Sequence, residues 1–205
     1  NGLIYVADTN NSRIRAITPA GVVTTFAGSS YGTGQGFFAS PRGVAVAADG
    51  TVYVADTSNH NIVALTPSAA YTRLAGNNTF GFANGSGASA RFNGPQGIVV
   101  VSPTVLAVAD TNNRRVRLVT TSGVVTTLAG IGGNPITSLD GNNTIAKFLS
   151  CEGITVAPTG VIYVAETTGH RIRAVSPTGV VTTIAGSTQG SVDGTGAAAQ
   201  FNSPS

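Results

Sequence analysis

The sequence of 205 residues contains no methionine, no tryptophan and a single cysteine, Cys151. One cysteine excludes an internal framework of disulfide bonds. No apolar run approaches the ~20 residues that a transmembrane helix requires, and no signal peptide is visible. Because the chain begins at Asn1 and lacks methionine throughout, we expect it to be a processed product or a piece of a longer polypeptide.

Charge is also scarce. Charged residues make up 9% of the chain, against roughly 25% in ordinary soluble domains. The 11 Lys and Arg exceed the 8 Asp and Glu by a net charge of only +3, whereas nucleic-acid binders concentrate positive charge in a patch or stripe. The surface must therefore be covered mainly by Thr, Ser, Asn, Gln and Gly. Such a surface is common on secreted, wall-associated or glycosylated proteins.

What the chain does contain is a repeat. The segment Tyr-Val-Ala-Asp-Thr at 5–9 returns, with small changes, at 53–57, 107–111 and 163–167. A second segment, Gly-Val-Val-Thr-Thr, occurs at 21–25, 123–127 and 179–183. Each full unit holds four short runs rich in Val, Ile, Thr and Tyr, separated by Gly, Asn, Asp and Pro, which is typical of antiparallel strands joined by tight turns. Four strands in a repeat of about 50 residues predict the blade of a β-propeller.

The repeat also resembles a known family. Pro-x-Gly-Val/Ile precedes the first strand, Tyr-Val-Ala-Asp-Thr forms the second and Arg-Ile-Arg begins the third, and this combination is similar to NHL repeats. The resemblance covers nearly the whole chain and implies a β-propeller, most often six-bladed in that family. We therefore expect an all-β fold of four-stranded antiparallel blades in a single segment, 1–205, with blades at 1–28 (partial), 41–76, 95–130 and 151–186.

The two ends of the chain interrupt the repeat. Leu3-Ile4-Tyr5 already belongs to a second strand, so the first blade lacks its innermost strand. Residues 201–205 match the lead-in to a further blade. We expect the chain to be part of a larger propeller or of a long repeat array.

The long connections share one face of the predicted disc. Strands alternate in direction, so the turn between the second and third strands lies on the same face as the inter-blade loops 29–40, 77–94, 131–150 and 187–203. Long loops on a rigid scaffold are where binding usually resides. The candidate N-glycosylation sequons lie on this face as well, at Asn10, Asn77, Asn84 and Asn142. The alternative is that these asparagines make turns by bonding their own backbone.

An acidic residue and an arginine recur in the blades. The acids are Asp8, Asp56, Asp110 and Glu166, and the arginines are Arg15, Arg117 and Arg173. A ring of carboxylates suggests a cation site, but each acid begins a turn, where a carboxylate that accepts backbone N–H bonds stabilises the bend. We interpret the acids as part of the blade's construction. Each arginine then pairs with the neighbouring acid, and the alternative is contact with phosphate or RNA.

Other recurring or single residues have structural and functional interpretations. The phenylalanines that precede each blade are interpreted as wedges packed between blades, namely Phe38, Phe92, Phe148 and Phe201. Cys151 is either a small buried side chain or a thiol for an intermolecular disulfide. His60 and His170 are interpreted as surface turn residues. Some NHL-like propellers are lyases with a metal in the channel, but no histidine cluster stands near the predicted first strands.

These observations favour a non-catalytic, extracellular or cell-surface module used for structure, adhesion or assembly. Its expected partners are proteins or copies of itself, bound through the long-loop face or the open blade edges, and attached glycans. We predict no cofactor, no membrane span and no nucleic-acid partner. The alternatives are part of an NHL-type lyase whose catalytic residues lie outside this segment, or an intracellular RNA- or protein-binding propeller.

Overall fold

The structure, a computed structural model, describes residues 2–205 as four antiparallel β-sheets. The first sheet contains β1 (Ile4–Asp8), β2 (Arg13–Ile17) and β3 (Val23–Ala27). The second contains β4 (Gly43–Val46), β5 (Val52–Asp56), β6 (Asn61–Leu65) and β7 (Tyr71–Ala75). The third contains β8 (Gly85–Ser86), β9 (Pro95–Ser102), β10 (Val105–Asp110), β11 (Arg115–Thr120) and β12 (Val124–Ala129). The fourth contains β13 (Ile154–Val156), β14 (Ile162–Glu166), β15 (Arg171–Val175) and β16 (Val181–Ala185). The all-β propeller fold is thereby confirmed.

Within the part of the chain that the structure describes, helical structure is limited to single 3₁₀ turns. Three of them join the second and third strands of the blade pattern, at Thr9–Asn11 between β1 and β2, Thr57–Asn59 between β5 and β6, and Thr111–Asn113 between β10 and β11. The other two lie in inter-blade loops, at Gly87–Ser89 and Gly196–Ala198. Among residues 2–205 there is no helix with the length and hydropathy needed to cross a bilayer.

The apolar core lies between the sheets. Successive strand residues point to opposite faces, so Val52 and Val54 of β5 pack toward the first sheet, whereas Tyr53 and Ala55 pack toward the third. Three clusters of buried side chains result, one at each junction between consecutive sheets. The second and third sheets are therefore buried on both faces, which explains why their central strands are nearly continuous apolar runs.

The third sheet has one strand more than the repeat predicts. β8 comes from the inter-blade loop 77–94 and pairs with the outermost strand β12, with Gly85 opposite Val125 and Ser86 opposite Val124. In the fourth sheet Gly141 makes the equivalent bridge to Val181. The loops thus cover the outer edges of these two sheets, which would otherwise present unpaired backbone groups to solvent.

The first sheet has only three strands, as expected from the position at which the repeat begins. β1, the second strand of the blade pattern, contacts β4 of the following sheet directly. The innermost strands β4, β9 and β13 contact one another in series. This succession places the inter-blade loops in order around one face.

The phenylalanines ahead of each blade lie at the sheet junctions. Phe38, Phe92 and Phe148 are fully buried within the three core clusters, and Phe201 is half-buried. Phe38, Phe148 and Phe201 each pack near the glycine that ends the preceding outer strand. At Gly130, φ is +92°, and an added Cβ would lie 2.5 Å from the Arg114 carbonyl oxygen. Only glycine fits at this position.

Candidate functional site: the inter-blade loop face

The inter-blade loops and the 3₁₀ turns lie together on one face, which we call the loop face. Its members are the loops 29–40, 77–94, 131–150 and 187–203 and the turns that follow each second strand. The loops 29–40 and 77–94 are tied to the turn of the blade that follows them: the Asn59 side-chain amide donates to the Gly32 carbonyl oxygen at 2.7 Å, and the Asn113 amide to that of Gly81 at 2.7 Å. These bonds hold the loops on the blades.

The recurring carboxylates also hold the inter-blade loops on the blades. The Asp110 side chain is fully buried and accepts bonds from the backbone N–H of Asn93 at 2.8 Å, the Asn113 amide at 2.8 Å and Arg117 Nη1 at 2.7 Å. Glu166 does the same in the fourth sheet, accepting from Leu149 N–H and Arg173. The expectation that each acid caps its own turn with backbone bonds needs correction, because the N–H groups that these acids accept come from the preceding loop.

The arginines of the third strands complete these ties. Arg117 donates to the Ala83 carbonyl oxygen at 2.9 Å and to Asn84 Oδ1 at 2.8 Å, besides its ion pair with Asp110. Arg173 repeats the pattern with Leu139 at 3.0 Å and Asp140 at 2.7 Å. Both arginine side chains are fully buried, so neither is available to a phosphate or RNA backbone.

In the first sheet the corresponding arginine and acid form a pair that is partly exposed to solvent. Arg15 Nη1 lies 3.1 Å from Asp8 Oδ2, and the two side chains remain 27% and 25% exposed because no loop covers them. An exposed pair of this kind stabilises the fold by roughly 1 kcal/mol or less.

The second sheet departs from the pattern. Val63 replaces the arginine, and within the part of the chain that the structure describes no cation pairs with Asp56. The Asp56 carboxyl keeps its bonds from Ala39 N–H and the Asn59 amide. Burial nevertheless raises its pKa to about 6. The ring of Tyr71 packs 5.9 Å from that of Phe38, and burial, reinforced by the charge of Asp56, raises the pKa of Tyr71 to about 12.

The four sequon asparagines have different surroundings. Asn84 Oδ1 accepts bonds from Arg117 and Thr127, and Asp140 takes the same place in the next loop. Asn77 and Asn142 each accept the N–H of the residue two positions on, which is the turn geometry named above as the alternative. Asn10 is exposed in its 3₁₀ turn. The structure therefore shows local turn bonding at Asn77 and Asn142, whereas Asn84 binds side chains 33 and 43 positions away.

The two histidines tie loops to turns as well. His60 Nδ1 accepts the Gly94 N–H at 3.0 Å, and His170 Nδ1 accepts the Ser203 N–H at 3.1 Å. Burial lowers the pKa of His60. Throughout residues 2–205, no three His, Cys, Asp or Glu side chains are grouped in a way that could hold a metal ion.

Cys151 is completely buried, and its thiol donates to the Arg115 carbonyl oxygen at 3.3 Å. Burial raises the pKa of the thiol well above its ordinary value. The expectation of an intermolecular thiol at this position is corrected accordingly, since the folded chain does not offer Cys151 to a partner.

What remains free on the loop face is a set of large apolar side chains. Tyr31 is 68% exposed, Phe80 67% and Ile136 93%, and each lies in a different loop. Ile136 also lines a cleft of about 500 Å³ between the third and fourth loops, together with Leu149, His170 and Gln189. Comparing the repeats with one another finds positions that recur. It missed these residues because each occurs in one loop only.

A comparison with protein families identifies part of the chain. The family described as NHL repeat matches residues 38–65, which include β4, β5, the turn after Asp56 and β6. Residues 38–65 are an NHL repeat. The carboxylate, turn and third strand of this NHL repeat recur in the other three sheets, with an arginine in place of Val63.

Solved structures show the same fold. A virginiamycin B lyase from Staphylococcus aureus is 17% identical, with a TM-score of 0.61, over 89% of this chain and 52% of the lyase. An auxiliary nutrient binding protein from Bacteroides thetaiotaomicron is 17% identical, with a TM-score of 0.72, over 99% of this chain and 50% of that protein. One from Bacteroides ovatus is 17% identical, with a TM-score of 0.69, over 97% and 48%. The chain thus spans about half the length of these structures. A comparison with curated proteins finds no match.

Proposed function

We propose that the chain is a non-catalytic module of NHL repeats, used for structure, adhesion or assembly, that binds a protein partner through the loop face. The observation that carries this proposal is the placement of exposed apolar side chains, Tyr31, Phe80 and Ile136, on loops that are held by buried bonds. Exposed aromatic and aliphatic side chains on a preorganised surface gain binding energy at little cost in conformational entropy.

The polar residues of the loop face support the same proposal. The carboxylates of Asp110 and Glu166 and the nitrogens of Arg117 and Arg173 are engaged with one another or with loop backbone. A catalytic acid or base must be able to reach a substrate. Here these groups hold the scaffold, and the loops that they hold provide the contact surface. Two structural neighbours from Bacteroides are auxiliary nutrient binding proteins, which is consistent with a binding role.

Site-specific crosslinking tests the proposal. A photoreactive amino acid replaces Ile136 on the loop face in one sample and Thr159, an exposed residue of the turn between β13 and β14 on the opposite face, in the matched control. Both proteins are returned to their native setting, irradiated and analysed by mass spectrometry. We expect the same partner peptides to be captured repeatedly from position 136 and not from position 159. Equal capture from both positions, or none from 136, would contradict the proposal.

We further propose that the module acts outside the cell and carries glycans. This rests on the low charge of the chain and on exposed asparagines in sequons, of which Asn10 has the most open surroundings. The intact mass of the native material, measured before and after glycan removal, tests it. A fall in mass with glycopeptides that map to Asn10 supports an extracellular role, and an unmodified mass contradicts it.

A second candidate is part of an NHL-type lyase. The structural similarity to virginiamycin B lyase over 89% of this chain favours it. In this candidate the chain contributes blades to a propeller whose catalytic residues lie outside residues 1–205. Recovery of a larger native polypeptide that has lyase activity would favour this candidate over the binding module.

A further inference from the structure

The outer strand of the second sheet is left without a neighbour on one side. β7 forms the edge of this sheet, and among residues 2–205 no loop residue pairs with it. In contrast, the loop ahead of the third sheet supplies β8 to β12, and the loop ahead of the fourth sheet supplies Gly141 to Val181. The second sheet has all four strands and a loop on each side, so the difference lies inside the repeat.

A shorter loop explains the open edge. The bond from Gly32 N–H to the Phe38 carbonyl oxygen closes the loop 29–40, and its equivalent in the next loop joins Gly81 to Phe92, each at 3.0 Å. The first bond encloses five residues, whereas the second encloses ten. The additional residues include β8, which extends the third sheet. The second sheet therefore lacks the strand that the longer loop provides.

The backbone of β7 is open to pairing from Tyr71 to Arg73. In the fourth sheet, Val181 exchanges two backbone bonds with Gly141, at 2.7 and 3.0 Å. Tyr71 has the register of Val181, because each lies opposite the last residue of the third strand of its blade. The N–H and carbonyl oxygen of Tyr71 therefore point away from β6. From the loop, the Gln35 side-chain amide approaches this carbonyl oxygen at 3.5 Å, which makes at most a weak bond.

The next outward position along β7 favours a negative charge in the added strand. In the fourth sheet, Thr183 N–H donates to the Asp140 carboxylate at 2.9 Å. Arg73 has the register of Thr183. The Arg73 side chain is exposed, and within residues 2–205 it takes part in no ion pair. An acidic side chain placed as Asp140 is would receive the Arg73 N–H and lie beside its guanidinium, a charge-assisted contact.

A cleft of about 470 Å³ lies along this edge. Its lining includes Tyr71, Arg73, Gln35 and Asn78. The Asn78 amide donates to the Thr33 carbonyl oxygen at 3.4 Å and so joins the two neighbouring loops at the cleft. The half-buried Tyr71 adds aromatic surface to polar walls. A volume of this size is within the range of sites that bind ligands.

We propose that this edge binds an extended, acidic peptide segment of a partner protein, which adds to β7 as an antiparallel strand with a carboxylate against Arg73. The pairing of β8 with β12 and of Gly141 with Val181 shows that outer edges of this repeat accept such a strand. Backbone bonds along an exposed edge provide affinity, and the side-chain contact provides selectivity. The proposal does not rest on partner binding by the apolar residues of the loop face.

A peptide copied from the chain tests the proposal. The probe is a synthetic peptide with the sequence of residues 137–147, whose Asp140 and Gly141 match the groups that β7 offers. Binding to the chain is measured by NMR, through the backbone amide shifts. We expect saturable binding, with shifts that centre on residues 71–73.

A charge exchange tests the contact with Arg73. Arg73→Glu opposes two anions and should weaken binding of the probe by about tenfold or more. A probe with Asp140→Lys should instead bind the Arg73→Glu variant better than it binds the unmodified chain. The matched control is Arg42→Glu, the same charge change at an exposed residue beside the innermost strand β4, and it should bind the probe like the unmodified chain.

Two measurements test the strand geometry. A probe with N-methylglycine in place of Gly141 lacks the N–H that would bond to the Tyr71 carbonyl oxygen, and it should bind about tenfold more weakly. In the chain without probe, the amides of Tyr71 and Arg73 should exchange with solvent faster than those of Val181 and Thr183, whose N–H groups are bonded to the loop. Added probe should slow the exchange at Tyr71 and Arg73.

The possible outcomes separate the proposal from its alternatives. Far-UV circular dichroism verifies that each variant is folded, and light scattering gives the mass of the chain without probe. The proposal is overturned by the absence of saturable binding at millimolar probe, by shifts that centre away from residues 71–73, or by binding that neither Arg73→Glu nor N-methylation weakens. Slow exchange at Tyr71 and Arg73 in a dimer without probe also overturns it, since a second copy then occupies the edge. Crosslinking from Ile136 is unaffected by any of these results.

Discussion

Replacement of Arg117 by valine tests whether the buried ion pairs hold the blades together. The change leaves the Asp110 carboxylate buried without its cation, because both side chains of the pair are fully buried at a separation of 2.7 Å. Burial raises the pKa of Asp110, and Arg117 is the strongest of the groups that oppose this rise.

The expected cost follows from two independent arguments. Two unit charges about 4 Å apart attract by about 4 kcal/mol at an effective dielectric constant of ~20. Measurements on other proteins give roughly 3–5 kcal/mol when one partner of a buried pair is removed. Arg117 also satisfies the Ala83 carbonyl oxygen and Asn84 Oδ1, and the loss of each bond adds about 1 kcal/mol unless water replaces it. We expect Arg117→Val to lower the free energy of unfolding by about 4 kcal/mol.

Urea unfolding at neutral pH, followed by circular dichroism, measures this cost. The matched control is Arg15→Val, since Arg15 makes the same pair with Asp8 while both side chains remain partly exposed. The control should lose about 1 kcal/mol or less. The reasoning is refuted if Arg117→Val costs no more than Arg15→Val.

A double-mutant cycle separates the pair from the rest of the contacts. Asp110→Asn leaves Arg117 buried without its anion and should cost about as much as Arg117→Val. The double variant should cost less than the sum of the two single variants, by roughly 2 kcal/mol or more, because the second change removes a charge already left unpaired. Additive costs would show that the two side chains act independently.

Three further predictions concern other positions. Burial raises the pKa of Asp56 from 3.8 to about 6, so the folded chain holds this proton more tightly than the unfolded chain, and the free energy of unfolding should fall by about 3 kcal/mol as pH rises from about 4 to about 6. Asp56→Asn should remove that part of the pH dependence in urea unfolding, and an unchanged slope would contradict the assignment. Gly130→Ala should lower the free energy of unfolding by about 2 kcal/mol or more, because the new Cβ meets the Arg114 carbonyl oxygen; Gly133→Ala, also at positive φ but with open space around the added Cβ, should lower it by about 1 kcal/mol. Equal losses would show that the contact with the Arg114 carbonyl oxygen is unimportant. The Cys151 thiol should react with a thiol reagent only after denaturant is added, and rapid labelling of the folded chain would disagree with its burial.

The strands could be predicted from sequence because they depend on a local pattern. Runs such as Val52 to Asp56 combine β-branched and aromatic residues with flanking turn residues, and this pattern recurs at every blade. β8 could not be predicted in this way. Gly85 and Ser86 have little tendency to form a strand, and they become one only because the loop reaches the outer edge of the third sheet.

The candidate site was less predictable for a related reason. The repeat predicted that the acids and arginines are structural, but it could not show that Asp110 binds the backbone of the preceding loop, at Asn93, instead of its own turn. That bond joins residues 17 positions apart and depends on how the loop folds back. The consequence of Val63 likewise became clear only when Asp56 was found buried without a cation, beside the ring of Tyr71.

The tie between each loop and the arginine of the following blade has a consequence for engineering. Loops 77–94 and 131–150 differ in length and sequence, yet both present a carbonyl oxygen and an Asn or Asp side chain to the same arginine position. A loop on this scaffold can therefore be replaced by another loop that makes the same bonds to the arginine. New residues can be placed at its tip, where Phe80 and Ile136 stand, as long as these attachment points are kept.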